Sequence, residues 1–409
     1  MRVRSTVPCM LLVSAPAIAQ NPVPIRHVTM LAHTDSGVLG GIFGVRQLPD
    51  GRVLVNDMVR HRVLAFDSTL AQATAVLDST AGAANSYGTQ RGTIFPYVGD
   101  STVFVDAAAR AFILLDPAAH VTRTMAPPRP QSIFSIAAAV NAAETYDSRG
   151  QFIFFVSRPT PSALSAAPRN PADTMAVTIL HDTAAILRID PNAATADTVG
   201  LVALPFQKGI EFRLSDSRSV GYAAFNPLPQ TDEWAVLSDG TVAFVRGQDY
   251  HVDFVHPDGT KSSSPKLPFD WRRVTLEDKQ RMIDSARQAF DAMVAKLPPP
   301  APRPPGAQAP LPRRFYAVDP SDMPDYHPPI RQGQVRADRD GNLWILPTTS
   351  TAAASGLLYD VVNGKGELIE RVQLPPSRNI AGFGPGGVVY LASYITPGAP
   401  RFERARVIR

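Results

Sequence analysis

The sequence predicts an all-β fold, a six-bladed β-propeller of four-stranded antiparallel blades with one helical and proline-rich insertion. A unit of strand, tight turn, strand, gap and strand recurs six times along the chain. Where no insertion intervenes, equivalent turns are 45 to 50 residues apart, which is the usual length of a propeller blade. The composition, with 39 Pro and one long segment of helical periodicity, also favours β-structure.

The chain begins with the pattern of a secretory signal peptide over residues 1–19. Arg2 and Arg4 precede a short apolar run, and Ala17-Ile18-Ala19 forms a small-residue cleavage site. The apolar run is too short to span a membrane, so no membrane span is expected. We therefore predict that residues 20–409 form a periplasmic or secreted domain.

Export limits the chemistry that the mature chain can use. The only cysteine, Cys9, leaves with the signal peptide, which excludes disulfides and thiolate metal sites. The formal net charge of +4 falls to +2 because Arg2 and Arg4 leave as well. So small an excess of positive charge gives little support to nucleic-acid binding, and no nucleic-acid partner is expected.

The first repeat shows the blade pattern most clearly. Residues 48–57, LPDGRVLVND, place an Asp-Gly turn between two apolar strands, and HRVLAFDSTL at 61–70 adds a third strand and a second turn. Asp-Gly supplies the positive φ that a two-residue hairpin turn needs, and alternating apolar residues suit sheets packed face to face. A fourth strand, ATAVL at 73–77, completes a four-stranded unit.

Five further units follow. Their first turns and second strands are VGDSTVFVDA at 98–107, DSRGQFIFFVS at 147–157, LSDGTVAFVRG at 237–247, DRDGNLWILPT at 338–348 and GPGGVVYLAS at 384–393. The gaps of 90 residues from Gly150 to Gly240 and 101 residues from Gly240 to Gly341 must hold insertions. A seventh blade in the first gap stays an alternative, although residues 158–183 and 205–230 lack a clear hairpin turn.

The two ends of the chain are predicted to close the ring together. The last unit ends after its third strand, whereas residues 25–32 form a strand with no blade of their own. If residues 25–32 provide the outer strand of the last blade, the ring closes with chain from both ends and no open sheet edge is left.

The stretch PDGRVLVNDMVRHRVLAFD at 49–67 resembles the NHL repeat. It has the turn, the V-x-D strand end and a segment like N-x-R-I-x-x-F, in which Arg62, Val63 and Phe66 fit and His61 stands in place of Asn. The chain as a whole resembles bacterial six-bladed propellers of the NHL/TolB-like kind. The resemblance implies a fold that many unrelated functions share.

Three long insertions are expected on one face of the ring. Residues 158–183 join the second and third strands of a blade, whereas residues 205–230 and 268–334 join successive blades, and both kinds of connection lie on the same face. Long loops on a rigid scaffold often carry binding sites.

Residues 275–297 within the largest insertion are predicted to form a helix, because Thr275 and Asp278 make a capping box and apolar residues recur at helical spacing. That apolar stripe is Leu276, Ile283, Ala286, Phe290, Met293 and Leu297. We expect the helix to lie over the propeller on this stripe, followed by an extended proline-rich segment at 298–312.

Polar residues at the strand ends of the loop-rich face are the candidate ligand-binding positions. They are Asp57, Arg60, His61, Asp106, Arg110, Arg246, His251 and Tyr394. Asp57, His61 and His251 could assemble a metal site or an acid/base pair across blades; the favoured alternative is that such residues cap strand ends and bond neighbouring loops.

No G-x-S-x-G, H-E-x-x-H or phosphate-binding loop occurs, so the sequence favours a binding role over catalysis. The leading hypothesis is an exported monomer that binds a small molecule, a glycan or a protein on its loop-rich face, with no cofactor and no assigned catalytic or metal-ligating residue. The alternative is a propeller hydrolase or lyase with a divalent metal or a His/Asp site at the channel mouth.

Overall fold

A computed structural model gives the structure of the chain. It describes residues 23–79, 86–127, 145–156, 175–180, 183–190, 195–213, 219–298, 313–350, 356–393 and 400–409. The predicted signal peptide, the proline-rich stretch after Pro298 and the candidate residue Tyr394 lie outside the described residues.

Six four-stranded antiparallel blades surround a central channel, which confirms the predicted fold class. From the channel outward, the first three blades consist of β2 (Val45–Gln47), β3 (Val53–Asp57), β4 (Arg62–Phe66) and β5 (Ala73–Leu77); β6 (Gly92–Pro96), β7 (Thr102–Asp106), β8 (Ala111–Leu115) and β9 (Val121–Met125); and β10 (Thr145–Tyr146), β11 (Phe152–Val156), β13 (Thr183–Asp190) and β14 (Thr195–Ala203). The last three consist of β17 (Glu233–Val236), β18 (Val242–Arg246), β19 (His251–Val255) and β20 (Lys261–Ser263); β21 (Ile330–Ala337), β22 (Leu343–Pro347), β23 (Leu358–Val362) and β24 (Leu368–Gln373); and β25 (Arg378–Phe383), β26 (Val388–Ser393), β27 (Arg401–Val407) and β1 (Ile25–His33).

The hydrophobic core is divided among the junctions between neighbouring blades. In β3, Val53 and Val55 pack against blade 6, whereas Leu54 packs against blade 2. Adjacent residues of a strand point to opposite faces of the sheet, so the apolar run of β3 serves two junctions. Similar clusters of buried side chains lie between each other pair of neighbouring blades.

The turns between first and second strands have the backbone that their sequences predict. Gly51, Gly240 and Gly341 have φ values of 87°, 89° and 85°, in the left-handed region where a side chain is disfavoured. In blade 2, which lacks this Asp-Gly pair, Gly99 and Asp100 both have positive φ, as a type I′ turn requires.

The N-terminal strand closes the ring, as predicted. β1 pairs antiparallel with β27, from Val28 opposite Val407 to His33 opposite Glu403. Its first residues also pair in parallel with β24 of blade 5, a contact that the sequence did not predict. Blades 5 and 6 therefore form one continuous eight-stranded sheet.

The first two insertions contribute to a separate small sheet. β12 (Met175–Leu180) comes from the insertion in blade 3, and β15 (Gln207–Arg213) and β16 (Ser219–Ala223) come from the link between blades 3 and 4. They pair antiparallel in the order β12, β15, β16. Residues 205–230 thus contain a hairpin that the sequence analysis did not recognise, but within the described chain it makes no seventh blade.

The third insertion carries the predicted helix, α1 (Leu276–Ala295). The hydroxyl of Thr275 accepts a hydrogen bond from the Asp278 N–H, and the Asp278 carboxylate accepts one from the Thr275 N–H, which confirms the capping box. A short 3₁₀ turn, Pro320–Asp322, follows later in the insertion. No helix among the described residues has the length and apolar character needed to cross a membrane.

Half of the predicted apolar stripe of α1 is exposed, and the surface on which it was expected to rest is wrong. Leu276, Met293 and Leu297 are 67%, 53% and 40% exposed, whereas Ile283 is buried. Ile283 packs with Val318 and other residues of the insertions, so the buried face of α1 rests on the inserted layer and not on the propeller sheets. A second face of α1 lies across a groove from the start of β21 in blade 5.

Candidate binding groove beside the inserted helix

A groove of about 790 Å³ runs between α1 and the loop-rich face of blade 5. Three parts of the chain line it: one face of α1, the link at residues 225–229, and the segment that leads into and begins β21. Ligand pockets of drug-sized molecules commonly have volumes of about 300–1,000 Å³, so the groove has the size of a small-molecule site.

The helical wall consists of residues that repeat at the helical period. They are Asp278, Arg281, Met282, Ser285, Ala286 and Ala289. Residues three and four apart lie on the same face of a helix, so this wall is one continuous stripe, distinct from the face that buries Ile283. The small side chains at 285, 286 and 289 leave room between helix and propeller.

The opposite wall and the floor are largely apolar. Ile330, at the start of β21, and Leu228 in the link are 1% and 7% exposed. Phe225 lies at the edge and is 44% exposed. Pro328 is buried, and His327 and Thr348 add half-buried polar groups. An apolar surface with few polar groups is the usual character of a small-molecule site.

Two arginines give the groove a cationic side. Arg281 forms an ion pair with Asp278 one turn earlier on α1. Arg331 donates to the backbone carbonyl of Ser350 at 2.5 Å, and no carboxylate of the described residues forms an ion pair with it. The charge of Arg331 is therefore available to an anionic group in the groove.

The candidate residues of blade 1 lie at its loop-rich end, as predicted, and are held by local contacts. The buried carboxylate of Asp57 accepts bonds from the backbone N–H groups of Gly40, Gly41 and Arg60 and from Nε of Arg62. Arg60 donates to the Val38 carbonyl at 2.8 Å. Asp57 thereby fixes the preceding segment onto the blade.

His61 occupies a strained backbone position. Its φ is +50°, and its ring meets that of Tyr87 edge to face at 5.5 Å. Its Nδ1 is buried without a hydrogen-bond partner among the described residues.

Blade 2 repeats the arrangement of blade 1. Asp106 accepts from the N–H groups of Ala108 and Ala109 at 2.9 and 3.0 Å, and Arg110 has a φ of +52°. The two positions are thus the strand-end cap and the left-handed turn residue of the blade, equivalent to Asp57 and His61.

In blade 4, Arg246 takes the place of the strand-end aspartate and forms the centre of a charged network. Its Nε donates to Asp253 at 2.7 Å and its Nη1 donates to Asp232 at 2.8 Å. His251 lies between Asp249, 2.5 Å from Nδ1, and Asp253, 3.2 Å from Nε2. The network borders a cavity of about 410 Å³.

These contacts set the charges of the network. Burial acts to raise the pKa of Asp253, but bonds from Ser263 and Arg246 outweigh it and hold that pKa below its usual range. Burial likewise opposes ionisation of Asp249, and His251 and Lys266 lower its pKa. Both ring nitrogens of His251 face carboxylates, so neither is directed toward a metal.

The structure does not bring Asp57, His61 and His251 together. Asp57 and His61 lie in blade 1 and His251 lies in blade 4, on the opposite side of the ring. In the parts of the chain that the structure describes, no three His, Cys, Asp or Glu side chains converge as a metal site would require. The joint site proposed across these blades is therefore wrong, whereas an individual binding role for each residue stays a prediction.

The groove itself was missed by sequence reasoning. None of the predicted ligand-binding residues lines the groove. The sequence around Arg281 and Arg331 gives no sign that these arginines are anything other than solvent-exposed charges. The small-residue stripe of α1 is the one signal that could have indicated a cavity beside the helix.

Comparison with known proteins finds distant likeness to solved structures. No protein-family model matches the chain, and no curated protein matches it. Virginiamycin B lyase from Staphylococcus aureus is similar at 10% identity and a TM-score of 0.38, over 92% of this chain and 98% of the lyase. A gluconolactonase from Xanthomonas campestris has 12% identity and a TM-score of 0.35, over 93% and 88% of the two chains. PQQ-bound aldose sugar dehydrogenase from Streptomyces coelicolor has 10% identity and a TM-score of 0.37, over 93% and 98%. Likeness at this level carries no argument about activity.

Proposed function

We propose that this protein is an exported binding propeller of the NHL/TolB-like kind that takes a small organic anion with an apolar body into the groove beside α1. The observation that carries the proposal is the 790 Å³ groove with an apolar floor and an arginine that no described carboxylate neutralises. Export is inferred from the pattern of Arg2, Arg4 and Ala17-Ile18-Ala19, as in the sequence analysis.

The geometry matches each part of such a ligand with a feature of the groove. The buried side chains of Leu228 and Ile330 would contact the apolar body, and burial of apolar surface supplies most of the affinity. Arg331 would bond the anionic group. A charge-assisted hydrogen bond is stronger than a neutral one, so this contact fixes the orientation of the ligand.

The fluorescent probe 8-anilinonaphthalene-1-sulfonate has this chemistry and tests the proposal. We expect saturable binding of one probe per chain, displaced by decanoate more readily than by decanol. Arg331→Met should weaken binding about tenfold, and Ala289→Trp should block it by filling the groove.

Two variants provide matched controls. Arg406→Met removes an exposed arginine of blade 6, and Ala295→Trp adds the same bulk at an exposed position of α1 outside the groove. Both should bind the probe as the parent does. Equal binding by Ala289→Trp and Ala295→Trp, or an absence of saturable binding by the parent, would contradict the proposal.

A further inference from the structure

The cavity of about 410 Å³ at the loop-rich end of blades 3 and 4 has an almost entirely polar lining. Among the described residues, Ala203 is its one apolar member, and the others are Gln230, Thr231, Asp232, Arg246, Gln248, Asp249 and His251. None of them lines the groove beside α1. The volume of the cavity is usual for a small-molecule site, but with so little apolar surface a ligand must be held mainly by hydrogen bonds.

Hydrogen bonds between neighbouring segments fix the walls of this cavity. The Asp232 carboxylate accepts from the N–H groups of Ala203 at 3.1 Å and Gly247 at 2.9 Å. It also accepts from Nη1 of Arg246 at 2.8 Å. A Cβ added at Gly247 would lie 2.1 Å from the Thr231 carbonyl oxygen, so the glycine lets the loop after β18 pack directly on the link before β17. Walls held in this way lose little conformational entropy when a ligand binds.

The charged groups around the cavity are already paired with charges of opposite sign. Arg246 lies 2.8 Å from Asp232 and 2.7 Å from Asp253. Asp249 lies 3.5 Å from the ammonium group of Lys266. A simple ion gains little from charges that are compensated within the protein, so the cavity favours a neutral ligand over an inorganic anion or a metal ion.

The lining residues keep hydrogen-bonding capacity of both kinds. Arg246 donates through Nε and Nη1, which leaves Nη2 without a partner among the described residues. Gln230 donates to the Gly247 carbonyl at 3.1 Å through Nε2, and its Oε1 has no donor in the same parts of the chain. Gln248 is exposed at the cavity and adds an amide with both a donor and an acceptor. Because each hydroxyl both donates and accepts, a ligand with several neighbouring hydroxyls matches these groups.

We propose that this cavity binds a neutral polyol, such as a monosaccharide, whose hydroxyls bond Arg246, Gln230 and Gln248. The carboxylate of Asp249 is 33% exposed and can accept a further bond from the same ligand. Arg246 and His251, both predicted from the sequence as ligand-binding residues, would then share one ligand. The cavity has no lining residue in common with the groove and does not depend on the function proposed for it.

Methyl α-glucoside, methyl α-galactoside, methyl α-mannoside and sorbitol, each titrated into the full chain by calorimetry, test the site. We expect saturable binding of at least one of them, at one site per chain. Gln248→Ala and Gln230→Ala should each weaken that binding about fivefold, which corresponds to the loss of one neutral hydrogen bond. The ring NMR signals of His251 should shift as the ligand saturates, whereas those of His120, an exposed histidine of blade 2, should not.

Two control variants separate this cavity from general surface polarity and from the groove. Gln72→Ala removes an exposed glutamine side chain of blade 1, and Arg331→Met alters only the groove; neither should change polyol binding. Tighter binding of a glycoside indicates recognition of a sugar ring, and tighter binding of sorbitol indicates an open chain; either supports the site. The proposal is overturned if none of the four compounds binds saturably, if Gln72→Ala and Gln248→Ala lose affinity equally, or if the organic cation putrescine binds and all four polyols fail.

Discussion

Glu233 is a carboxylic acid whose charge is strongly affected by its buried position. It begins β17 at the loop-rich end of the channel and accepts a hydrogen bond from the Gly333 N–H at 2.8 Å in blade 5. Burial, with a smaller contribution from the charge of Asp232, raises its pKa from 4.5 to about 7, although the hydrogen bond from Gly333 opposes the shift. The protonated form is thus favoured in the folded state.

This shift predicts how stability depends on pH. The folded protein holds the proton of Glu233 more tightly than the unfolded chain, so the free energy of unfolding should fall as pH rises from 4.5 to about 7. The contribution is on the order of 3 kcal/mol. Glu233→Gln stays neutral and can still accept from Gly333, so it should exceed the parent in stability at pH 8 and lose the slope. Urea unfolding from pH 4 to pH 8 measures both, with the exposed Glu277→Gln as control; parallel curves for parent and Glu233→Gln would contradict the assignment.

The sequence predicted the places of the candidate residues better than their contacts. The V-x-D pattern correctly put Asp57 at a strand end, but two of the groups that donate to it are the N–H groups of Gly40 and Gly41, which lie 17 and 16 residues earlier in the chain. Arg331 was missed because a charged residue within a strand gives no sign of which cavity it will line. Contacts between distant segments decide both cases, and a single sequence does not display them.

At the scale of elements, the sequence predicted turns and helix caps, but it did not predict which elements pack against each other. The hairpin turns and the capping box of Thr275 depend on residues a few positions apart, and both are confirmed. The apolar stripe of α1 was assigned to the wrong surface because helical spacing shows that a helix has an apolar face but not what covers it. The sheet of β12, β15 and β16 was missed for the same reason, since its strands come from two separate insertions.

Because α1 packs on the inserted layer through Ile283, substitutions of Ile283 and Leu276, both in the predicted apolar stripe, should differ strongly in their effect on stability. Ile283→Ala should destabilise the inserted layer by about 2–5 kcal/mol, because Ile283 is 4% exposed within its core. Leu276→Ala should change stability by less than about 0.5 kcal/mol, because Leu276 is 67% exposed. Hydrogen exchange of the α1 amides measures each effect locally. Equal protection of α1 in the two variants would show that the helix does not rest on Ile283.

At the scale of the whole molecule, both ends of the chain meet at blades 5 and 6. Glu370 of β24 is buried and pairs with Arg409 at 3.0 Å, and Arg26 of β1 lies 3.7 Å from the same carboxylate. The Ile408 N–H donates to the His27 carbonyl at 2.9 Å. The pairing of β1 with β27 closes the ring, because without β1 the outer edge of β27 would be unpaired.

A chain that begins at Thr34 should therefore be much less stable than one that begins at Val23. Removing β1 deletes its ladder to β27 and breaks the contacts of Arg26 with Glu370, and we expect the melting temperature to fall by at least about 5 °C. A circular permutant tests whether the strand or merely the chain length matters. β27 ends beside the beginning of β1, with Val407 opposite Val28, so residues 24–33 joined after Arg409 by a short linker can refill the same position as a hairpin. The permutant should recover most of the lost stability. If the truncated chain melts at the temperature of the longer one, or the permutant melts no higher than the truncated chain, β1 does not close the ring.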